Sequence, residues 1–236
     1  MTGKKIPIED GTKKIMEHES EDQLIQSFTD NIVSLDGKKN GKVKGKGPIN
    51  NAIAIHVFEY LESYNISTHF VNKINDRDMQ VKKTELYPIV IKVHNVVTPA
   101  LKKRYKKEKG EEIEAQLIEF YYGKDRLFDP VSKNFSDQAF ELAGEDELRV
   151  MTREGYKINA LVKPFFKRRN IDLADITLQF GKYRGRVMLS SEITPDSCRL
   201  LDSSSGDPLS SERFDKDMGN ISESYRKVHN RLLGDE

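Results

Sequence analysis

A single cysteine, Cys198, is all the thiol that this 236-residue chain carries. That excludes an internal disulfide and any zinc site built on cysteine thiolates, and it fits a reducing compartment. No apolar run comes near the roughly 18 residues that a membrane span requires. The opening stretch, MTGKKIPIEDGTKK, lacks the apolar core of a secretory signal. A surplus of either charge is missing too: 39 Lys and Arg stand against 38 Asp and Glu, for a formal net charge of +1. A general nucleic-acid coat draws its affinity from counterion release by excess cations, so that class is set aside. These absences lead us to expect a cytoplasmic protein with small-molecule partners, no nucleic acid and no membrane. Self-association stays open.

What is present suits a soluble globular chain. Hydrophobic residues make up 36% and charged residues 33%, and the length suits one large domain or two small ones. Residues 22–35 carry Leu24, Ile25, Phe28, Ile32 and Val33 and read as short strands. DGKKNGKVKGKGPINN, residues 36–51, is a Gly/Lys loop. Helical spacing of Ile53, Val57, Phe58 and Leu61 predicts a helix from about Asn50 to Tyr64, with Asn50 or Asn51 as its cap. ISTHFVNKI and DMQVKKTELYPIVIKVHNV alternate and are rich in Val and Ile, so they read as strands. A break is expected near Leu86–Pro88. Beyond it come a strand from Ile89 to Asn95, a short basic helix from Leu101 to Lys109 and a strand around AQLIEFYY. A long helix from about Asp146 to Asn170 carries a broad apolar stripe, and Pro164 should kink or divide it. ITLQF and RVMLSSEI form a hairpin across GKYRG, and an amphipathic helix closes the chain from about Phe214. The fold class is α+β in two lobes, residues 1–85 and 86–236, with the cleft between them as the default ligand site.

Four stretches carry chemistry. In DGKKNGKVKGKGPINN, Gly45 and Gly47 let backbone N–H groups approach an anion, and Lys44 and Lys46 add charge; a solvated Lys/Gly loop is the other reading, and the one that a charge run alone favours. In NDRDMQVKKTELYP, strand alternation sets Val81 and Lys83 on one face and Lys82 on the other; a cleft-facing lysine could hold nucleotide phosphates, and an exposed surface lysine is the other reading. In KVHNVVTPALKKRYKK, Asn95 ends a strand, and Lys102, Lys103 and Arg104 follow a Pro turn. This could anchor a sugar phosphate or be an exposed basic helix. In ADITLQFG and SSEITPDSCRL, Asp175, Glu192, Asp196 and Arg199 could converge at the hairpin ends. Magnesium wants about two carboxylates plus phosphate oxygens; turn residues and an ion pair are the other reading. His18, His56, His69, His94 and His229 lack the spacing of a metal site and read as surface or internally satisfied residues.

In this order the segments resemble the SAICAR synthetase family of purine biosynthesis over nearly the whole chain. DGKKNGKVKGKGPINN is similar to that family's loop ending in Gly-x-x-x-Asn-Asn. YNISTHFVNKINDRDMQVKK, IEFYYGKDRLFDP, ITPDSCRLLD and SERFDKDMG resemble its later motifs. The resemblance implies a kinase-like or ATP-grasp-like nucleotide lobe on a larger lobe. It implies ATP, magnesium, L-aspartate and a carboxyaminoimidazole ribotide as ligands, and an ATP-dependent ligase that forms an amide through an acyl phosphate. Carried over by motif position, Gly11, Lys13, Lys14, Val81 and Lys82 would serve ATP. Asn95, Lys103, Arg104 and Arg199 would bind the substrate phosphate, and Asp36, Asp175 and Asp196 would sit at the reacting groups. Glu192, Asp175 and Asp129 would hold the metal.

The departures from the family pattern are local. Gly-Lys-x-Lys is Gly11-Thr12-Lys13-Lys14 here, and the Arg-Asn strand end is His94-Asn95. The Ala-Gly-Ser turn is Thr98-Pro99-Ala100, Asp-x-Lys-x-Glu is Asp175-Ile176-Thr177-Leu178-Gln179, Asp-Glu is Ser191-Glu192, and one late Arg is Asp215. Gln179 and Ser191 remove two negative charges from the expected magnesium site, and a hard cation prefers charged oxygens. Besides the family reaction, two alternatives stay open. One is a diverged paralogue acting on another carboxylate or ribotide, and the other is a non-catalytic module that binds a nucleotide or a partner.

Overall fold

The computed structural model describes residues 11–34, 39–97, 101–102, 112–123, 125–129 and 134–234. Its first half is built on a four-stranded antiparallel sheet of β1 (Lys13–Glu17), β2 (Gln23–Phe28), β5 (Phe70–Lys73) and β6 (Asp78–Lys82), in the order β1-β2-β6-β5. A small hairpin of β3 (Asn31–Val33) and β4 (Asn40–Lys42) leads into helix α1 (Lys46–Ser63). α1 is buried on most of its circumference, with Ile53, Ala54, Val57, Phe58 and Leu61 fully inside.

The helix starts a turn earlier than the Asn caps suggest, because a side chain distant in sequence caps it. The Asp30 carboxylate accepts the Gly47 N–H at 2.9 Å and is gripped by Arg77 at 2.9 and 3.1 Å. Only glycine fits at 47, since a Cβ there would lie 2.5 Å from the Phe28 carbonyl oxygen. The anion that this Gly/Lys turn cradles is thus the chain's own Asp30.

The larger sheet runs β13 (Arg186–Leu189), β12 (Ile171–Tyr183), β7 (Glu85–Val96), β8 (Glu112–Tyr122) and β9 (Asp125–Arg126), with β14 (Cys198–Asp202) also paired to β12. β7 is continuous through Pro88, so the break expected at Leu86–Pro88 falls instead at Lys83–Thr84, between β6 and β7. A further short pair joins β10 (Phe128–Asp129) to β11 (Asn134–Phe135), ahead of helix α2 (Asp137–Leu142). Helix α3 (Glu145–Lys167) lays Leu148, Met151, Ile158, Val162 and Phe166 on the large sheet. Pro164 sits in its last turn and does not divide it; the helix ends three residues later, at Lys167. Of the basic helix expected from Leu101 to Lys109, Leu101 and Lys102 are helical, and Lys103 and Arg104 lie outside the described residues.

The β12–β13 hairpin turns at Arg184 and Gly185, both with positive φ, which is the geometry of a two-residue hairpin turn. The chain then crosses back through residues 190–197, where Thr194–Ser197 forms a tight turn, and enters β14. Helices α4 (Glu212–Asp215) and α5 (Ile221–Leu233) close the molecule. α5 is pinned by buried Asp202, which takes Lys227 at 2.6 Å and Arg231 at 2.7 Å. Among the described residues no helix is long and apolar enough to cross a membrane.

Arg77 first, then the Gly47 and Gly45 N–H groups, outweigh burial and hold the Asp30 carboxyl at about 2. A depressed carboxyl stabilises the fold above its unfolded value near 4 and loses that contribution as pH falls through its folded value. Asp30→Ala is therefore expected to cost about 2 kcal/mol at pH 7 and much less at pH 2, measured by urea unfolding at the two pH values.

Candidate active site

Two cavities flank the crossing segment 190–197. The first, about 110 Å³, lies between the two sheets and is lined by Lys13, Ile15, Leu24, Gln26, His69, Val81, Lys82 and Ser190, among others. Ile15, Leu24 and Val81 make its apolar walls. Lys13 enters from β1, and Lys82 enters from the end of β6, where its Nζ donates to the Thr68 carbonyl at 2.8 Å. Lys83 lines the same cavity beside Val81, as strand alternation sets them on one face, and Lys82 reaches it from the last position of β6. Buried Gln26 Nε2 and His69 Nε2 have no hydrogen-bond partner. Burial first, then the charges of Lys13 and Lys82, push the His69 imidazole down to about 3, so it is neutral.

The second cavity, about 290 Å³, opens over the face of the large sheet and is lined by His94, Glu119, Asp175, Asp196, Arg199 and Ser210, with others. His94 and Asp175 are register partners on β7 and β12, which sets His94 Nδ1 4.0 Å from Asp175 Oδ2. Asp175 accepts Arg199 at 3.0 Å. Behind His94, Nε2 lies 3.2 Å from Glu119, which also accepts the Tyr121 hydroxyl at 2.6 Å. His94 Nδ1, Arg199 Nε and Ser210 Oγ are buried without a hydrogen-bond partner. A cavity with several unmet polar atoms is built for a polar ligand, because such atoms are costly to leave unsatisfied.

Between the cavities run two buried ion pairs. Lys13 Nζ meets Glu192 Oε2 at 2.6 Å. Lys46, fully buried, meets Asp196 Oδ2. Asn50 also donates to that oxygen at 2.7 Å, and Tyr225 on α5 donates to Oδ1 at 2.5 Å. Burial alone would raise the Glu192 carboxyl, but the charge and hydrogen bond of Lys13, aided by Lys46, hold it below the usual range. Burial and the Asp196 carboxylate push the Tyr225 phenol well up, so it remains a donor.

The structure thus gathers Asp175, Asp196 and Arg199 around one cavity and Lys13, Val81 and Lys82 around the other, with Glu192 between them. Lys14 does not join them. β1 alternation turns it outward, where it is exposed. Gly11 lies at the head of β1 with positive φ, its carbonyl accepting Thr29 Oγ1 and Asn31 Nδ2. Asn95 points to the opposite side of the sheet from His94, pairs its amide with Asn159 at 2.8 and 3.0 Å and lines a separate cavity. Asp36 and the Asp129 side chain lie outside the described residues.

Sequence reading missed Gln26, His69, His94, Glu119, Asn50 and Tyr225 as cavity or supporting residues. Pairing across β7, β8 and β12 reveals His94 and Glu119, the small sheet Gln26 and His69, and the docking of α1 and α5 Asn50 and Tyr225. Cys198 lines the second cavity, but burial pushes its thiol up, so it is no nucleophile.

A family model described as SAICAR synthetase matches residues 8–232. A phosphoribosylaminoimidazole-succinocarboxamide synthase from Clostridium perfringens is 37% identical over 220 residues, which is 93% of this chain and 94% of that protein. The crystal structure of such a synthase from Ehrlichia chaffeensis superposes with a TM-score of 0.86 at 30% identity, covering 99% of this chain and 100% of that one. A SAICAR synthetase solved in complex with ADP gives 0.85 at 30% identity, covering 95% and 96%.

Removing the Tyr225 hydroxyl takes one donor from a buried carboxylate and leaves Lys46 and Asn50 in place. Tyr225→Phe is expected to cost about 1–2 kcal/mol, whereas Lys46→Met, which strands the carboxylate, costs on the order of 3–5 kcal/mol. Chemical denaturation of the two variants checks the order.

Proposed function

The chain belongs to the SAICAR synthetase family, and from that premise we propose how its two cavities divide the substrates of an ATP-dependent carbon–nitrogen ligase. ATP takes the cleft between the sheets, and the carboxyaminoimidazole ribotide takes the cavity over the large sheet. The reacting carboxylate and γ-phosphate meet at segment 190–197. The observation that carries this reading is that Lys13, paired with Glu192, lines the first cavity while Asp196, paired with Lys46, lines the second, with segment 190–197 running from one to the other. Residues 1–85 then act as the nucleotide lobe and residues 86–236 as the larger lobe. The setting is cytoplasmic purine biosynthesis.

The chemistry is positioning and charge neutralisation. A ribotide carboxylate oxygen attacks the γ-phosphorus and ADP leaves. The amine of L-aspartate then attacks the acyl carbon, inorganic phosphate leaves, and the amine gives up a proton. Ile15, Leu24 and Val81 sandwich the base, and Gln26 and His69 offer it unpartnered polar atoms. Lys13 and Lys82 face the phosphates. Arg199 Nε, His94 and Ser210 receive the ribotide, with Arg199 oriented by Asp175. Asp196, held by three donors, is a fixed acceptor rather than a mobile base. Asp36, Lys103 and Arg104 keep their assignments by motif position.

ADP release that requires both ribotide and aspartate, with amide product by mass spectrometry, is the expected result; ATP turnover indifferent to either would refute the reading. Arg199→Ala should raise KM for the ribotide about tenfold to a hundredfold, the loss of one charge-assisted contact, with KM for ATP unchanged in steady-state assays.

A further inference from the structure

The resemblance leads one to expect magnesium held by protein carboxylates, and among the described residues the donor set in the cleft does not fit that expectation. Glu192 reaches the nucleotide cleft through Lys13, which already occupies its Oε2 at 2.6 Å with both side chains buried. Asp175 is engaged by Arg199 at 3.0 Å, and both oxygens of Asp196 are taken. Gln179 turns its amide onto the Tyr87 carbonyl at 3.2 Å, and the Ser191 hydroxyl accepts the Gln179 N–H at 2.9 Å. Among the described residues no three of His, Cys, Asp or Glu come together as a metal site.

The same cleft is rich in lysine. Lys13, Lys82 and Lys83 line it, and the neutral His69 lies close to Lys13 and Lys82. An ammonium carries three donors, and Glu192 uses one from Lys13. Two remain for phosphate oxygens, and the buried pair fixes where they point.

We propose that Lys13, oriented by Glu192, supplies in cis the charge that a protein-held divalent ion would otherwise bring to the nucleotide phosphates, so that this chain binds ATP without needing that ion. The inference rests on the nucleotide reading of the cleft. Glu192 acts here as a positioning residue, and Lys13 touches the phosphate.

Calorimetric titration of ATP into the metal-stripped full chain, once with excess EDTA and once with excess magnesium, tests it. The two dissociation constants are expected to agree within about threefold, well under one charge-assisted contact. Lys13→Gln is expected to weaken binding about tenfold or more in both arms, with circular dichroism reporting the fold. If that variant does not fold, the two arms of the unmodified chain decide alone. Binding seen only with magnesium overturns the inference and leaves the nucleotide reading standing, as does a folded Lys13→Gln that binds like the parent. No binding in either arm overturns the nucleotide reading itself, and the inference with it.

Discussion

Four charges taken out of water govern this molecule. Lys13, Lys46, Glu192 and Asp196 sit in or beside the wall between two cavities, and each would cost several kcal/mol to desolvate alone. Paired, they are tolerable only in one arrangement. β1 must face segment 190–197, and the first turn of α1 must reach the Thr194–Ser197 turn. The relative placement of the two sheets is thereby tied to the site, and a shift of either by one residue would strand a charge.

The hydrophobic core supplies the bulk of the stability but little of this direction. α3 on the large sheet and α1 under the small one bury wide apolar faces, and burial is roughly proportional to area whatever its geometry. Polar links decide how those layers are set. Asp30 fixes where α1 begins, Asp202 holds α5 against β14, and Tyr225 carries α5 to Asp196. The C-terminal helix is therefore a supporting wall of the site, although no atom of Tyr225 lines either cavity.

The departures from the family pattern take on a physical sense in this setting. Where carboxylates would gather to hold a hard cation, Gln179 and Ser191 make neutral hydrogen bonds within the protein, and the acid that remains, Glu192, is matched to a lysine. The second cavity shows a parallel exchange. His94 stands at the strand end that resembles the family's Arg-Asn, and His94 and Arg199, each with an unmet buried nitrogen, line the second cavity.

Much of the fold was legible in the sequence because periodicity reports local burial: α1, α3, the β12–β13 hairpin and the strands rich in Val and Ile follow from spacing alone. The family could be read because its short segments keep their order along the chain. Pro88 suggested a boundary that β7 runs through, since proline at a strand position that needs no donor breaks nothing. Lys13 and Lys14 are neighbours of one type, and only the facing of β1 puts one in the cleft and the other in solvent. Asp30, Glu119, Asn50 and Tyr225 look ordinary along the chain, and their partners lie 17, 25, 146 and 29 positions away. Local sequence determines which segments become helix or strand, because those choices are made among near neighbours. Which charges meet is decided only when distant segments are packed together, because a buried ion pair exists only once both partners have left water.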